Sequence, residues 1–485
     1  MSSPKVLLIE FNELCPPLLN KWMDEGLLPN FRRFASQSQV FVTEADEPEG
    51  LSLNPWIQWY SLHTGLPYSS HGVFRLTDGL RKQHDDLWSV LSDAGVSVAN
   101  MSSMNARWSV ERAGFYVPDP WCGKEPPHPP ELAPYHKFVS SQVQQHSTGE
   151  GSRLGEATGF LTFMAAHGLR LRTAWAVLRQ LTDEVVTRGR SSWRRASLLD
   201  LFQFDVFSHY LRRYRSQFAT FFVNSTAHYQ HCYWRHMAPE QFVVQPTPED
   251  LERYKDAILF GYQKMDALLK DFFKLENDGY TLILATALSQ QPYLAAEDRG
   301  GQLYYRPHDF AGFLKSHGIS YAQLEPVMAQ QFVLRFADRQ ATEKAARQLR
   351  GFEWNGAQII EVAESGECSL TVGNWLHGPI PEDAVMVRQP EGTTEQYYDV
   401  FYLMDAMKSG RHHREGVLWI KTGEHKVHSS NVSILDVFPT VLAMLGVRVP
   451  ERHRGPQHSL LAMGKSAASR MEQPAGMQES VARNA

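Results

Sequence analysis

Two carboxylates, Glu10 and Glu13, stand at the end of the first apolar run of the chain, Val6-Leu7-Leu8-Ile9-Glu10-Phe11-Asn12-Glu13. A carboxylate beside an imidazole can pass a proton, so either one, working with a histidine such as His231, could run metal-independent transfer chemistry. His228 and His231 lie three apart, which puts both rings on one face of a helix. A second set of groups could grip a ligand: Trp56, Gln58, Trp59, Asn105, Trp108, Trp121, Tyr229, Gln290 and Gln291 all fall near expected strand ends. Planar rings and bidentate amides suit sugars or nucleobases, although tryptophans serve cores equally well. Residues 151–215 hold eleven arginines against five acidic residues and no lysine. Guanidinium forks of that density could bind phosphate or a carboxylated sugar, or form a solvated helical face. The stretch around Trp175 to Val186 could also meet an anionic membrane surface, if basic residues accompany an apolar face.

The elements that must position these groups are legible as strand and helix patterns. Apolar runs at Val6–Phe11, Gln39–Thr43, Val96–Met101, Phe218–Val223, Tyr280–Ala285 and Val417–Lys421 mostly lack alternation, as strands buried on both faces do. Helical patterns at Pro17–Glu25, Asn54–Thr64, Leu87–Ala94, Pro248–Leu275 and Ile434–Leu445 separate them. The expectation is an α/β fold with a doubly wound, mostly parallel sheet. Residues 1–150, 216–296 and 412–464 would build that core. An Arg-rich helical insert would occupy 151–215, a small α+β lobe 297–411, and a disordered tail 465–485.

Composition removes several classes of function. A charge of -5, from 48 basic and 53 acidic side chains, offers no field for a nucleic-acid backbone. Four cysteines without a Cys-x-x-Cys pair argue against a zinc ribbon or disulfide framework, and a reducing cytoplasm is the expected location. No export signal and no 18-residue apolar span is readable. Oligomeric state is not encoded in any feature of the sequence.

Four blocks in order resemble the alkaline phosphatase superfamily, in particular its type I phosphodiesterase and nucleotide-pyrophosphatase branch. They are the opening Val6 to Phe31 with Pro17, Trp22 and Leu28-Pro29-Asn30-Phe31; Trp59 to Leu66 with His71-Gly72-Val73; Gln230-His231 with Trp234-Arg235; and Ser433 to Leu442. The resemblance implies two metal ions, commonly zinc, at the strand C-termini. Matched position by position it also implies losses. Asn12 replaces an aspartate ligand, Pro55 falls at or near the nucleophile, Ala227 replaces a second aspartate, and Ala287-Leu288 stand where an Asp-His pair belongs. His231 and His412 survive by type. With His228 as a substitute they would hold at most one zinc or other divalent cation, leaving a position for water. Ser52 is the nearby hydroxyl that could replace the nucleophile. Asn54 suits an N-cap and Pro55 a first helical turn, whose free N–H groups could hold an anion.

The leading expectation is therefore a hydrolase or transferase with a degenerate metal site. It would act on a phosphate, phosphodiester or sulfate ester of a small molecule, including glycan or nucleotide-linked substrates. Ser52, Glu13 and His231 would be catalytic, and Asn12, Asn54, Trp56, Gln58, Asn105, Gln290 and Gln291 would bind substrate. Two alternatives stand beside it, an inactive family member that binds an anionic sugar or nucleotide, and a metal-independent transferase.

Overall fold

The computed structural model describes residues 3–46, 53–74, 76–109, 111–122, 125–144, 153–295, 297–326, 330–404 and 407–461. The expected tail at 465–485, and Ser52, lie outside them. Lys5–Phe11 is the central strand of a mostly parallel sheet. On one side of it lie Phe218–Val223, Val98–Met101 and Gly114–Val117; on the other lie Tyr280–Ala285, Glu415–Lys421, Ser38–Glu44 and the short Lys426–Val427. Glu415–Lys421 alone runs against both of its neighbours.

Alternation along the strands divides the core into two. Leu7, Ile9, Phe11, Ala219, Phe221, Leu282 and Leu284 enter one apolar cluster; Val6, Leu8, Phe218, Phe222, Ile283 and Ala285 enter the other. Helices Pro16–Asp24, Pro29–Ala35, Ala196–Tyr214, Ser225–Met237 and Ala257–Phe272 cover the first face; Pro55–Thr64, Leu87–Asp93 and Val437–Met444 cover the second. A sheet covered on both sides accounts for the near-continuous apolar strands in the sequence.

Several expected elements differ in detail. Pro248–Leu275 is broken at Lys255 and Asp256 into Pro248–Tyr254 and Ala257–Phe272, then continues as a 3-10 turn, Phe273–Asp278. Helices Arg153–Ala166, Leu171–Val186 and Ala196–Tyr214 follow one another in the Arg-rich stretch. A third apolar cluster, from Tyr305 to Phe401, belongs to small antiparallel sheets around the helix Arg339–Arg350.

Candidate functional site

Because the first strand stays regular to its end, Glu10 and Asn12 point to the same helix, Pro55–Thr64. Glu10 Oε1 lies 2.7 Å from His63 Nε2, and its Oε2 accepts from Ser103 Oγ at 2.6 Å. One helical turn earlier, Trp59 Nε1 donates to Asn12 Oδ1 at 2.8 Å, and Asn12 Nδ2 donates to Glu13 Oε1 (2.8 Å) and Asn224 Oδ1 (2.7 Å). Both ends of the Asn12 amide are thus engaged by protein partners. Glu10 is likewise enclosed with His63, each 0–1% exposed.

The chain then turns at Glu13, a non-glycine residue with φ of 64°. This conformation is sparsely populated and is kept where neighbours over-determine it. Here Gln230 Nε2 donates to the Glu13 carbonyl at 2.7 Å, while Gln230 Oε1 accepts from Tyr262 Oη at 2.8 Å and Tyr262 Oη accepts from Cys15 N at 2.7 Å. The turn throws the Glu13 carboxylate off the strand and toward His231 and His412.

His231 sits in the helix Ser225–Met237, and its Nδ1 is 3.1 Å from the Gly410 carbonyl. A carbonyl can only accept, so Nδ1 carries a proton and turns Nε2 toward Glu13 Oε2, 3.3 Å away. His412 arrives on a two-stranded ribbon in which Gly410–His413 pairs with Ser289–Pro292 and His412 stands opposite Gln290. Directly opposed residues share a face. Gln290 Nε2 accordingly donates to Glu13 Oε2, and His412 Nε2 comes within 3.6 Å of Glu13 Oε1. Gly410 makes the approach possible, since a Cβ there would lie 2.4 Å from both the Gln230 carbonyl and Gln290 Oε1.

Glu13, His231 and His412 each offer a ligand atom within 4.8 Å of the others, at the C-terminal end of the sheet. Burial by itself would raise the Glu13 carboxyl; His412, the hydrogen bond and charge of His231, and Gln290 outweigh it and hold the group down at about 2. Burial, with His231 and Lys408, pushes His412 down to about 4 against the opposing pull of Glu13 and the Leu53 backbone. Two imidazoles with one ionised carboxylate are a donor set that suits zinc or ferrous iron. A carbonyl on the second ring nitrogen is the usual support of a metal-bound histidine. The residues thus fit one ion. Among the described residues no second group of three such donors converges; Asn12 is engaged with protein partners, and Ala227, Ala287 and Leu288 are buried without donor side chains.

Other expected site residues go elsewhere. His228 is exposed, with Nδ1 3.8 Å from Cys232 Sγ; the carboxylate of Glu13 takes the third place assigned to it. Gln58 faces away, accepting from Asp46 N at 2.8 Å and donating to the Asp46 carbonyl at 2.9 Å. Trp56 Nε1 donates to the Phe74 carbonyl at 2.8 Å, and Asn105 Nδ2 to the Trp56 carbonyl at 3.0 Å. Asn54 caps its helix by position only, through its carbonyl to Ile57 N and Gln58 N, without a side-chain cap bond. Gln291 Nε2 reaches the His412 carbonyl at 3.4 Å. Trp59 and Tyr229 are core residues. The Arg-rich stretch spends Arg170, Arg172, Arg190, Arg195 and Arg213 on ion pairs with Asp205, Asp271, Glu249, Glu184 and Glu131. Gln230, Tyr262 and Asn224 carry the turn at Glu13 without having been singled out for it. Gln230 alone left a trace in the sequence, as neighbour of His231.

No family model and no curated protein matches the chain. Among solved structures it is similar to phosphonoacetate hydrolase from Sinorhizobium meliloti 1021 in complex with phosphonoformate, with 13% identity, 92% of this chain and 96% of that chain covered, and a TM-score of 0.42. The same enzyme in complex with phosphonoacetate gives 12% identity, coverage of 92% and 100%, and a TM-score of 0.40. Likeness at this level transfers no residue roles.

Proposed function

We propose that this chain is a hydrolase or transferase of phosphate, phosphodiester or sulfate esters that works through a single divalent cation held by Glu13, His231 and His412. The observation that carries this reading is the convergence of those three donors, with Gly410 fixing the His231 tautomer. A bound cation would polarise a phosphoryl or sulfuryl oxygen and make a bound water more acidic. The chain's own residues supply the rest. Glu13 stays ionised and balances charge. His231 presents Nε2 in a fixed orientation, and Asn12 with Gln290 keeps the carboxylate from rotating. The backbone at Leu53 hydrogen-bonds to His412, so the helix Pro55–Thr64 begins beside the site, and the positive end of its dipole favours an anionic ester. Pro55 has no hydroxyl, which leaves Ser52 as the nearest candidate nucleophile in the sequence.

A second reading has its own support. Asn12, Gln290 and His231 already satisfy the Glu13 carboxylate. A Glu13–His231 pair passing a proton in metal-independent transfer is chemically complete.

Protein purified without chelator and tested on aryl phosphate mono- and diesters and aryl sulfates, with and without Zn, Mn or Fe(II), separates the two. About one equivalent of bound metal with metal-dependent turnover supports the first reading; metal-free protein with no turnover on the panel overturns it. Full turnover in Ser52→Ala would remove Ser52 as nucleophile.

A further inference from the structure

The helix Leu171–Val186 is inside out. Its polar residues Thr173, Gln180 and Glu184 are the buried ones, with Gln180 and Glu184 tied to Ser191 and Arg195. Its large apolar residues face outward: Leu171 is 90% exposed, Trp175 67%, Leu178 54%, Leu181 51%, Val185 81% and Val186 76%. At 100° per residue these six span one arc of roughly 140°, interrupted by exposed Thr182, along about 24 Å of helix. A helix that buries its polar stripe gains nothing from the fold by displaying such an apolar face, and exposed patches of this kind mark interaction surfaces.

Charge selects the occupant. Arg179 borders the apolar arc on one side, next to Arg172, which is paired with Asp271. Burial against Phe260, followed by the nearby charges of Arg179 and Arg194, loosens the proton of Lys264, so cations gather on this flank. A second copy of the chain would bring the same cations to the contact. A surface that is apolar below and anionic above satisfies both features, and tryptophan with arginine suits the boundary between them.

We propose that the outer face of the helix Leu171–Val186 docks this protein onto anionic phospholipid bilayers, with Trp175 and Leu178 entering the acyl boundary and Arg179 meeting headgroups. The contact is peripheral, since no described helix is long and apolar enough to cross a membrane.

The test is co-sedimentation of the full chain with vesicles of phosphatidylcholine alone, or with about a third phosphatidylserine. Wild type is expected to pellet with the serine-containing vesicles, and less so at high salt. The double variant Trp175→Ser, Leu178→Gln is expected to bind about tenfold more weakly, and Arg179→Glu about fivefold more weakly. All three positions are exposed, and circular dichroism checks that the variants fold; if the double variant does not, Val185→Asn takes its place. Wild type that stays in solution, or a folded apolar-face variant that binds as well as wild type, overturns the proposal. So does a wild-type dimer that the variant turns into a monomer while neither binds vesicles.

Discussion

At the scale of single residues, two buried carboxyls show how surroundings set charge. Glu13 is ionised because His412, His231 and Gln290 outweigh burial. Glu13→Gln keeps the shape and a hydrogen-bonding oxygen but removes the charge. Metal measured by elemental analysis should fall at least about tenfold, with little loss of folding. Asp119 is the opposite case: burial raises it from 3.8 to about 7, opposed only by the Trp121 N–H. Between those values the native state keeps a proton that the unfolded chain has lost, so stability falls as pH rises from about 4 to about 7 and is level above. Asp119→Asn does not titrate. Its advantage over wild type should be small at pH 4 and reach roughly 2–4 kcal/mol at pH 8, as measured by denaturant unfolding at both pH values.

At the scale of elements, the site depends on one strand end, one helix and one ribbon meeting. The ribbon is the vulnerable part, because the Gly410 backbone lies against Gln230 and Gln290. Gly410→Ala should cost about 1–3 kcal/mol and weaken metal binding, both readable by titration calorimetry and thermal unfolding. How far sequence could reach this assembly follows from its parts. Phe218–Val223 and Tyr280–Ala285 are six-residue apolar strands whose bounds match the apolar runs. Gly114–Val117 has four residues and Ser289–Pro292 is polar, and neither carries a periodic signal. His231 and His412 could be singled out by type. Glu13 as third donor could not displace His228, because a regular strand would have aimed it away; the turn at φ of 64° and its brace by Gln230 and Tyr262 come from residues more than two hundred positions distant. The hydrogen bonds of Gln58 and Trp56 were illegible for a related reason: their partners, Asp46 and Phe74, are loop backbone groups that no pattern announces.

At the scale of the whole molecule, the three donors lie within the unit built on the mostly parallel sheet, whereas the cluster from Tyr305 to Phe401 closes on its own small sheets. Separate apolar cores can unfold in separate steps, and a ligand stabilises only the step that destroys its site. Scanning calorimetry should therefore resolve two transitions. Zinc at about a hundred times its dissociation constant should add about 2.7 kcal/mol to the transition of the sheet unit and raise its midpoint by a few degrees. The other transition should stay where it was, and chelator should reverse the shift. Glu13→Gln should abolish the response while leaving both transitions in place. If zinc moved both transitions equally in wild type, the lobe and the sheet would be a single cooperative unit; if it moved neither, Glu13, His231 and His412 would not be holding the ion.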